Sequence, residues 1–242
     1  MKDRTPSITP SIAKMIDHSL LHPTLTDQDM ARGCEVGKKY GVAAVVVKPY
    51  AVGMAAEILK GTDVAVCAVV GFPHGSSRIE VKVEEAKLAC RDGATELDMV
   101  VNLGKALSGD WDYVERELKA VAEAAHRAGA ILKVIFENDF IAADEIKIKL
   151  CRACERAGAD FVKTSTGFGF VQGDDGKYSY RGAREADLRL MRENCSERVQ
   201  VKAAGKVRTL DDVLKVRALG VTRVGATATE AILTEAEKRG LE

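Results

Sequence analysis

The sequence lacks what would tie it to a membrane, to nucleic acid or to a metal. Its 36 basic and 36 acidic side chains cancel, so no net field draws it toward a polyanion or an anionic lipid surface. No segment is apolar over the length that spans a bilayer. The first residues, MKDRTPSITPSIAK, carry charges, prolines and hydroxyls where an export signal would need an apolar core. There is no GxGxxG turn, no Walker sequence and no serine-centred nucleophile elbow. A soluble, cytoplasmic protein with a small-molecule partner is the expectation.

Histidines are few and badly placed for a metal. His18 and His22 are four apart, but HSLLH runs into a proline, where such side chains share no helical face. His74 and His126 are isolated, the latter within an outer-helix pattern. Cys151 and Cys154 have zinc-knuckle spacing without a second pair, so packing of an outer helix accounts for them better. No metal and no cofactor is expected. The other cysteines, Cys34, Cys67, Cys90 and Cys195, are scattered too, and a chain of 242 residues needs no disulfide staples. All six read as reduced thiols.

What the chain does have is a rhythm. Eight short apolar runs alternate with amphipathic stretches: 15–21, 42–48, 64–73, 95–101, 131–137, 160–166, 199–205 and 222–228. The middle runs are continuous, as in parallel strands covered on both faces. Between them, patterns such as 113–129 and 143–158 repeat apolar residues every three or four positions. Gly41, Gly93, Gly129, Gly158 and Gly220 close several of them. Eight units of roughly 30 residues predict an α/β fold, a (β/α)8 TIM barrel, in preference to an open doubly wound sheet. The whole chain, 1–242, reads as one domain, with 1–13 a short N-terminal extension. One stretch breaks the rhythm: 167–183 holds glycines, charges and tyrosines and reads as a long loop after the sixth run, either a surface insertion or a lid.

Charges interrupt the apolar runs at four places, Asp98, Lys133, Lys163 and Lys202. A charge in a strand buried on both faces is costly unless paired, so their recurrence in successive runs predicts one shared polar site. A lysine amine attacks a carbonyl only when neutral, and desolvation together with a neighbouring cation disfavours the ammonium form. Lys163 and Lys202, on adjacent runs, satisfy both conditions, and spacing does not choose between them. Asp98 is the carboxylate best placed to move protons. The loops after the last three runs, TSTGFG, AAGKVR and GATAT, offer Thr166, Gly167, Gly205, Lys206, Gly225 and Thr227 to a phosphate or carboxylate, with Arg208 adding charge.

With IDHSLL, VVGFPHG (69–75), ELDMVVNLG (96–104), LKVIFEN (132–138), GADFVKTSTGF (158–168) and VKAAGKVR (201–208) in order, the chain resembles the deoxyribose-phosphate aldolase family over most of its length. The resemblance implies a lyase that forms an imine on Lys163, with Lys202 lowering its pKa and Asp98 relaying protons. Asp17 and Lys133 match polar residues of the family's pocket. The implied reaction is reversible cleavage of 2-deoxy-D-ribose 5-phosphate into D-glyceraldehyde 3-phosphate and acetaldehyde, and the implied assembly is a homodimer. The departures lie where substrate is chosen. Lys206 stands where the family has a second glycine, Thr227 and Ala228 replace its serines, Val46 to Pro49 replace Cys-Val-Asn-Pro, and the loop 169–182 is longer. Two other readings follow: the same chemistry on another hydroxy-aldehyde or keto-sugar, and a non-catalytic sugar-phosphate-binding barrel. Against the latter, such a barrel has no reason to hold two unpaired cations side by side.

Overall fold

In the computed structural model, which describes residues 11–241, the eight apolar runs become eight parallel strands. In chain order the strands are β1 (Ile16–Ser19), β2 (Ala44–Val47), β3 (Ala65–Val70), β4 (Glu96–Val100), β5 (Ile131–Ile135) and β6 (Phe161–Lys163). A hairpin of β7 (Val171–Gln172) and β8 (Tyr178–Ser179) comes next, then β9 (Gln200–Ala204) and β10 (Arg223–Ala226). Apart from the hairpin they close in the order β1-β10-β9-β6-β5-β4-β3-β2. Closure removes the open-sheet alternative, because none of the eight barrel strands is left with an unpaired edge.

The helices are α1 (Ile12–Met15), α2 (Asp27–Lys39), α3 (Val52–Leu59), α4 (Ile79–Arg91), α5 (Leu103–Leu107), α6 (Trp111–Arg127), α7 (Asp144–Ala157), α8 (Glu185–Glu193), α9 (Leu210–Arg217) and α10 (Thr229–Lys238). Local chemistry sets their ends. Thr26 with Asp29, and Thr209 with Asp212, form capping boxes on α2 and α9. Asp110 accepts from the Tyr113 N–H and starts α6 two residues before the periodicity suggests. Gly158, at φ 83°, ends α7 as expected. No described helix is long and apolar enough to cross a membrane.

Two apolar cores result from the alternation of strand side chains. The larger lies between strands and helices and takes residues such as Leu97, Met99, Leu132, Val134, Val162, Val201 and Val224. Cys151 and Cys154 are buried in it, which confirms their packing role. The smaller fills one side of the barrel's interior with Leu21, Ala44, Val46, Cys67 and Val69. The interior on the other side is ionic. Outside the barrel, buried pairs tie helices together: Lys82 Nζ reaches Glu117 Oε1 at 2.7 Å between α4 and α6, and Lys147 Nζ reaches Asp187 Oδ1 at 2.6 Å between α7 and α8.

Two expectations change. Residues 1–10 of the expected extension lie outside the described residues, but Ile12 and Ala13 belong to α1, and Ile12 is buried against the barrel's base. An apolar residue followed three positions on by Met15 gives a helical turn something to cover. The stretch 167–183 is not structureless: it carries the β7–β8 hairpin, whose return is fixed to its neighbours. Asp139 accepts from the Arg181 and Gly182 N–H groups, and the Ala183 N–H donates to Gly205 O at 3.1 Å. Gly182 and Gly205 meet back to back, and a Cβ on Gly205 would lie 2.9 Å from the Gly182 Cα. Glycine is needed at both for that approach.

Candidate active site

Strand register brings the charged side chains together. Asp98 pairs with Lys133, Lys163 with Lys202, Lys202 with Arg223, and Cys67 with Glu96. Paired residues of parallel strands project to the same face, here the interior. Lys163 Nζ lies 2.6 Å from Asp98 Oδ2, and Lys202 Nζ lies 2.7 Å from the same oxygen. Lys202 also bonds Asp17. Lys133 Nζ reaches Glu96 Oε2 at 2.6 Å, Asp98 Oδ1 at 2.9 Å and Asp17 Oδ2 at 3.3 Å. Arg223 bonds Asp17 Oδ1 at 2.7 Å and also Glu96. The Cys67 thiol sits 3.2 Å from both Asp98 Oδ1 and Lys133 Nζ; burial pushes its pKa up, so it stays a neutral filler.

The cations are therefore paired, which corrects the expectation of two unpaired lysines side by side. Side chains from six strands converge, so the carboxylates reach between the lysines. The network still does not balance. Lys133, Lys163, Lys202 and Arg223 are ion-paired with Asp17, Glu96 and Asp98, so full ionisation of these paired groups would leave one positive charge in excess in a buried space, and the nearby Glu137, bonded to Thr166 and paired with none of the four, is pushed by burial away from its charged form. Arg223 cannot give up its proton. Lys133 touches three carboxylates and Lys202 two, while Lys163 touches Asp98 alone. The proton on Lys163 is thus the least held, and its loss restores neutrality. Burial accordingly lowers the Lys163 pKa, with Asp98 opposing and Lys202 assisting. Lys133 goes the other way: burial disfavours its charge, but Asp17 and Asp98 outweigh burial and raise its pKa. Burial is likewise outweighed at Asp98, held well below the carboxylate range by Lys133, Lys163 and Lys202, and at Asp17, held at about 2 by Lys133, Lys202 and Arg223. The arrangement offers an amine whose proton is the least held of the network, flanked by a carboxylate and a second lysine, which suits imine chemistry.

Above the network opens a cavity of about 720 Å3. Lys163 and Lys202 form its floor, and Thr166, Gly167, Gly205, Lys206, Arg208, Gly225 and Thr227 line it; Asp17, Asp98 and Lys133 lie beneath, fully buried. All the residues singled out by sequence thus meet at one end of the barrel. The long loop forms a wall here. Phe168 packs edge-on against Phe72 at 5.6 Å, Phe170 meets Tyr180 at 5.2 Å, and Lys206 Nζ lies 5.4 Å from the Tyr180 ring centroid. Lys206 holds a left-handed backbone, φ 62°, which favours glycine. No side chain caps the N-terminus of α10, which follows Thr227 and Ala228, leaving a favourable place for an anion.

Several contributors went unnoticed in the sequence. Glu96 and Arg223 sit two residues from Asp98 and Gly225 on the same strand faces, a period-two signal that could have found them. Glu137 is buried, and Thr166 donates to its Oε2 from both its N–H, at 3.1 Å, and its hydroxyl, fixing the loop above Lys163. His18 also lines the cavity, its Nδ1 2.7 Å from Thr229 Oγ1. Lys48, one of the departures, is structural: its Nζ donates to Leu25 O at 3.0 Å and braces the segment after β1.

Residues 11–228 match the family model described as "DeoC/LacD family aldolase". A deoxyribose-phosphate aldolase of Rhodopirellula baltica is 48% identical over 228 residues, covering 94% of this chain and 90% of the relative. One from Caldanaerobacter subterraneus subsp. tengcongensis is 45% identical over 232 residues, covering 96% of each. Among solved structures, a deoxyribose phosphate aldolase from Aeropyrum pernix, described as tetrameric, superposes with a TM-score of 0.81 at 29% identity over 93% of this chain and 90% of that one. The strand-borne network and the extent of these matches lead to one conclusion: the chain belongs to the DeoC/LacD family of aldolases.

Proposed function

We propose that this protein is a class I aldolase that reversibly cleaves 2-deoxy-D-ribose 5-phosphate into D-glyceraldehyde 3-phosphate and acetaldehyde. The observation that carries the reading is the ion pairing of the buried network, in which Lys163, at the floor of an open cavity, has a single carboxylate partner and so the proton most easily lost. Lys163 Nζ attacks the C1 aldehyde carbon, and the carbinolamine loses water to give an iminium. Asp98, 2.6 Å from that nitrogen, hands over and takes back the protons, with the Lys202 ammonium beside it. The C3 hydroxyl then passes its proton through water to Asp98, the C2–C3 bond breaks and its electron pair moves into the iminium. Glyceraldehyde 3-phosphate departs, leaving an enamine on Lys163. Protonation at C2 and addition of water release acetaldehyde and restore the amine.

In this reading Asp17 and Lys133 hold Asp98 and Lys202 in place from below. Thr166, Gly167, Gly205, Lys206, Gly225 and Thr227 receive the phosphate. Lys206 replaces a backbone contact by a charge, and the ring of Tyr180 lies beside its ammonium group. The homodimer implied by resemblance and a cytoplasmic location belong to the same reading; six free cysteines suit a reducing compartment.

Cleavage assays on 2-deoxyribose 5-phosphate and on unphosphorylated 2-deoxyribose test the assignment. Lys206→Ala is expected to raise KM for the phosphorylated sugar by about tenfold, the worth of one charge-assisted hydrogen bond, while kcat and the reaction of 2-deoxyribose hardly change. Unchanged KM for both sugars would remove Lys206 from the site and turn attention to a different acceptor aldehyde.

A further inference from the structure

Beneath the reacting groups lies an ionic pair that does not line the cavity. Arg223, on β10, and Glu96, on β4, bond each other across the barrel; Arg223 also bonds Asp17, and Glu96 bonds Lys133. Both are buried, with 8% and 7% of their surface exposed. A salt bridge that only ties strands together would need just these two. Here each also joins the network that contains Lys163, and each enters its charge balance with opposite sign.

We propose that Arg223 and Glu96 are positioning residues that set the pH at which Lys163 is free to attack, by fixing how many positive charges the barrel interior holds. The idea rests on the aldolase reading and deepens it. Lys163 is faced by Asp98 from β4, Cys67 from β3 and Lys202 from β9, shares Asp98 with Lys133 from β5, and has Glu137 nearby, two residues past β5. Asp17 and Arg223 complete the ring from β1 and β10, and β2 adds only the apolar Ala44 and Val46. Removing the charge of Arg223 leaves three cations against three carboxylates, so nothing forces a proton off Lys163. Asp17, held at about 2, has room to rise without becoming neutral. Removing the charge of Glu96 leaves four cations against two carboxylates, and the proton on Lys163 is held still less.

The two substitutions therefore shift one observable in opposite directions. The probe is the acidic limb of kcat/KM for 2-deoxyribose, a substrate with no titrating group, so the limb reports the free enzyme. Arg223→Gln moves the limb up by about one pH unit and Glu96→Gln moves it down by a similar amount, as expected for one charge some way off at an intermediate dielectric. The double variant returns it to its original place, and Arg223→Lys, which keeps the charge, leaves it there. A purely structural bridge would lower activity equally at every pH in both single variants. That result, or two shifts of the same sign, overturns the proposal. Reductive trapping with acetaldehyde runs alongside on each protein. An adduct on Lys163 with an unmoved limb overturns this proposal alone; no adduct in the unaltered protein overturns the aldolase reading and this proposal with it.

Discussion

Lys163→Met is expected to abolish cleavage, by on the order of 10^4-fold or more, while changing the free energy of unfolding by less than about 1 kcal/mol. The two halves of this result have one cause. If Lys163 is the neutral member of the network, a thioether of similar length removes the nucleophile without removing a charge. Lys133, Lys202 and Arg223 still balance Asp17, Glu96 and Asp98. A lysine whose charge was holding the barrel together would behave differently: its loss would strand Asp98 and destabilise the fold by several kcal/mol. Urea unfolding beside a cleavage assay separates these cases, and a large loss of stability would mean that Lys163 is charged in the native protein.

Asp98→Asn is expected to damage both properties. Asp98 is bonded to three lysines, and with Lys163 neutral the amide would leave three cations, Lys133, Lys202 and Arg223, facing two carboxylates. Breaking a buried pair from one side costs about 3–5 kcal/mol, and loss of the group that moves protons costs about 10^3-fold in turnover. The stability gap has a defined pH dependence. The folded-state pKa of Asp98 is depressed well below its ordinary value. The stability this carboxylate contributes is therefore complete above a pH of about 4 and is lost as pH falls toward the folded-state value. The two proteins should differ fully in urea unfolding at neutral pH and converge only in acid. A gap that was constant down to low pH would mean that the carboxylate contributes by shape and not by charge.

Much of the fold was legible because parallel strands buried on both faces leave an apolar signature, and the charges that break it mark the interior site. Asp98, Lys133, Lys163 and Lys202 stand out for that reason. The choice between Lys163 and Lys202 was not legible in the spacing, and only the family resemblance pointed to Lys163. The choice depends on how many carboxylates each ammonium reaches, which is set by strand register and barrel closure and not by spacing along the chain. Glu96 and Arg223 were overlooked because a charge at the start of an apolar run reads as the strand's boundary. The β7–β8 hairpin was overlooked because its strands are two residues each and exposed, too short for an alternating pattern to register. Its role as a wall comes from contacts made at a distance, through Asp139 and Gly205.

Borohydride trapping with acetaldehyde, followed by peptide mass spectrometry, tests the central claim most directly. A stable ethyl adduct is expected on the peptide that contains Lys163, with Lys133 and Lys202 unmodified. An adduct on Lys202 would mean that the count of carboxylate contacts does not decide which amine is neutral, and no adduct on any lysine would contradict the imine mechanism.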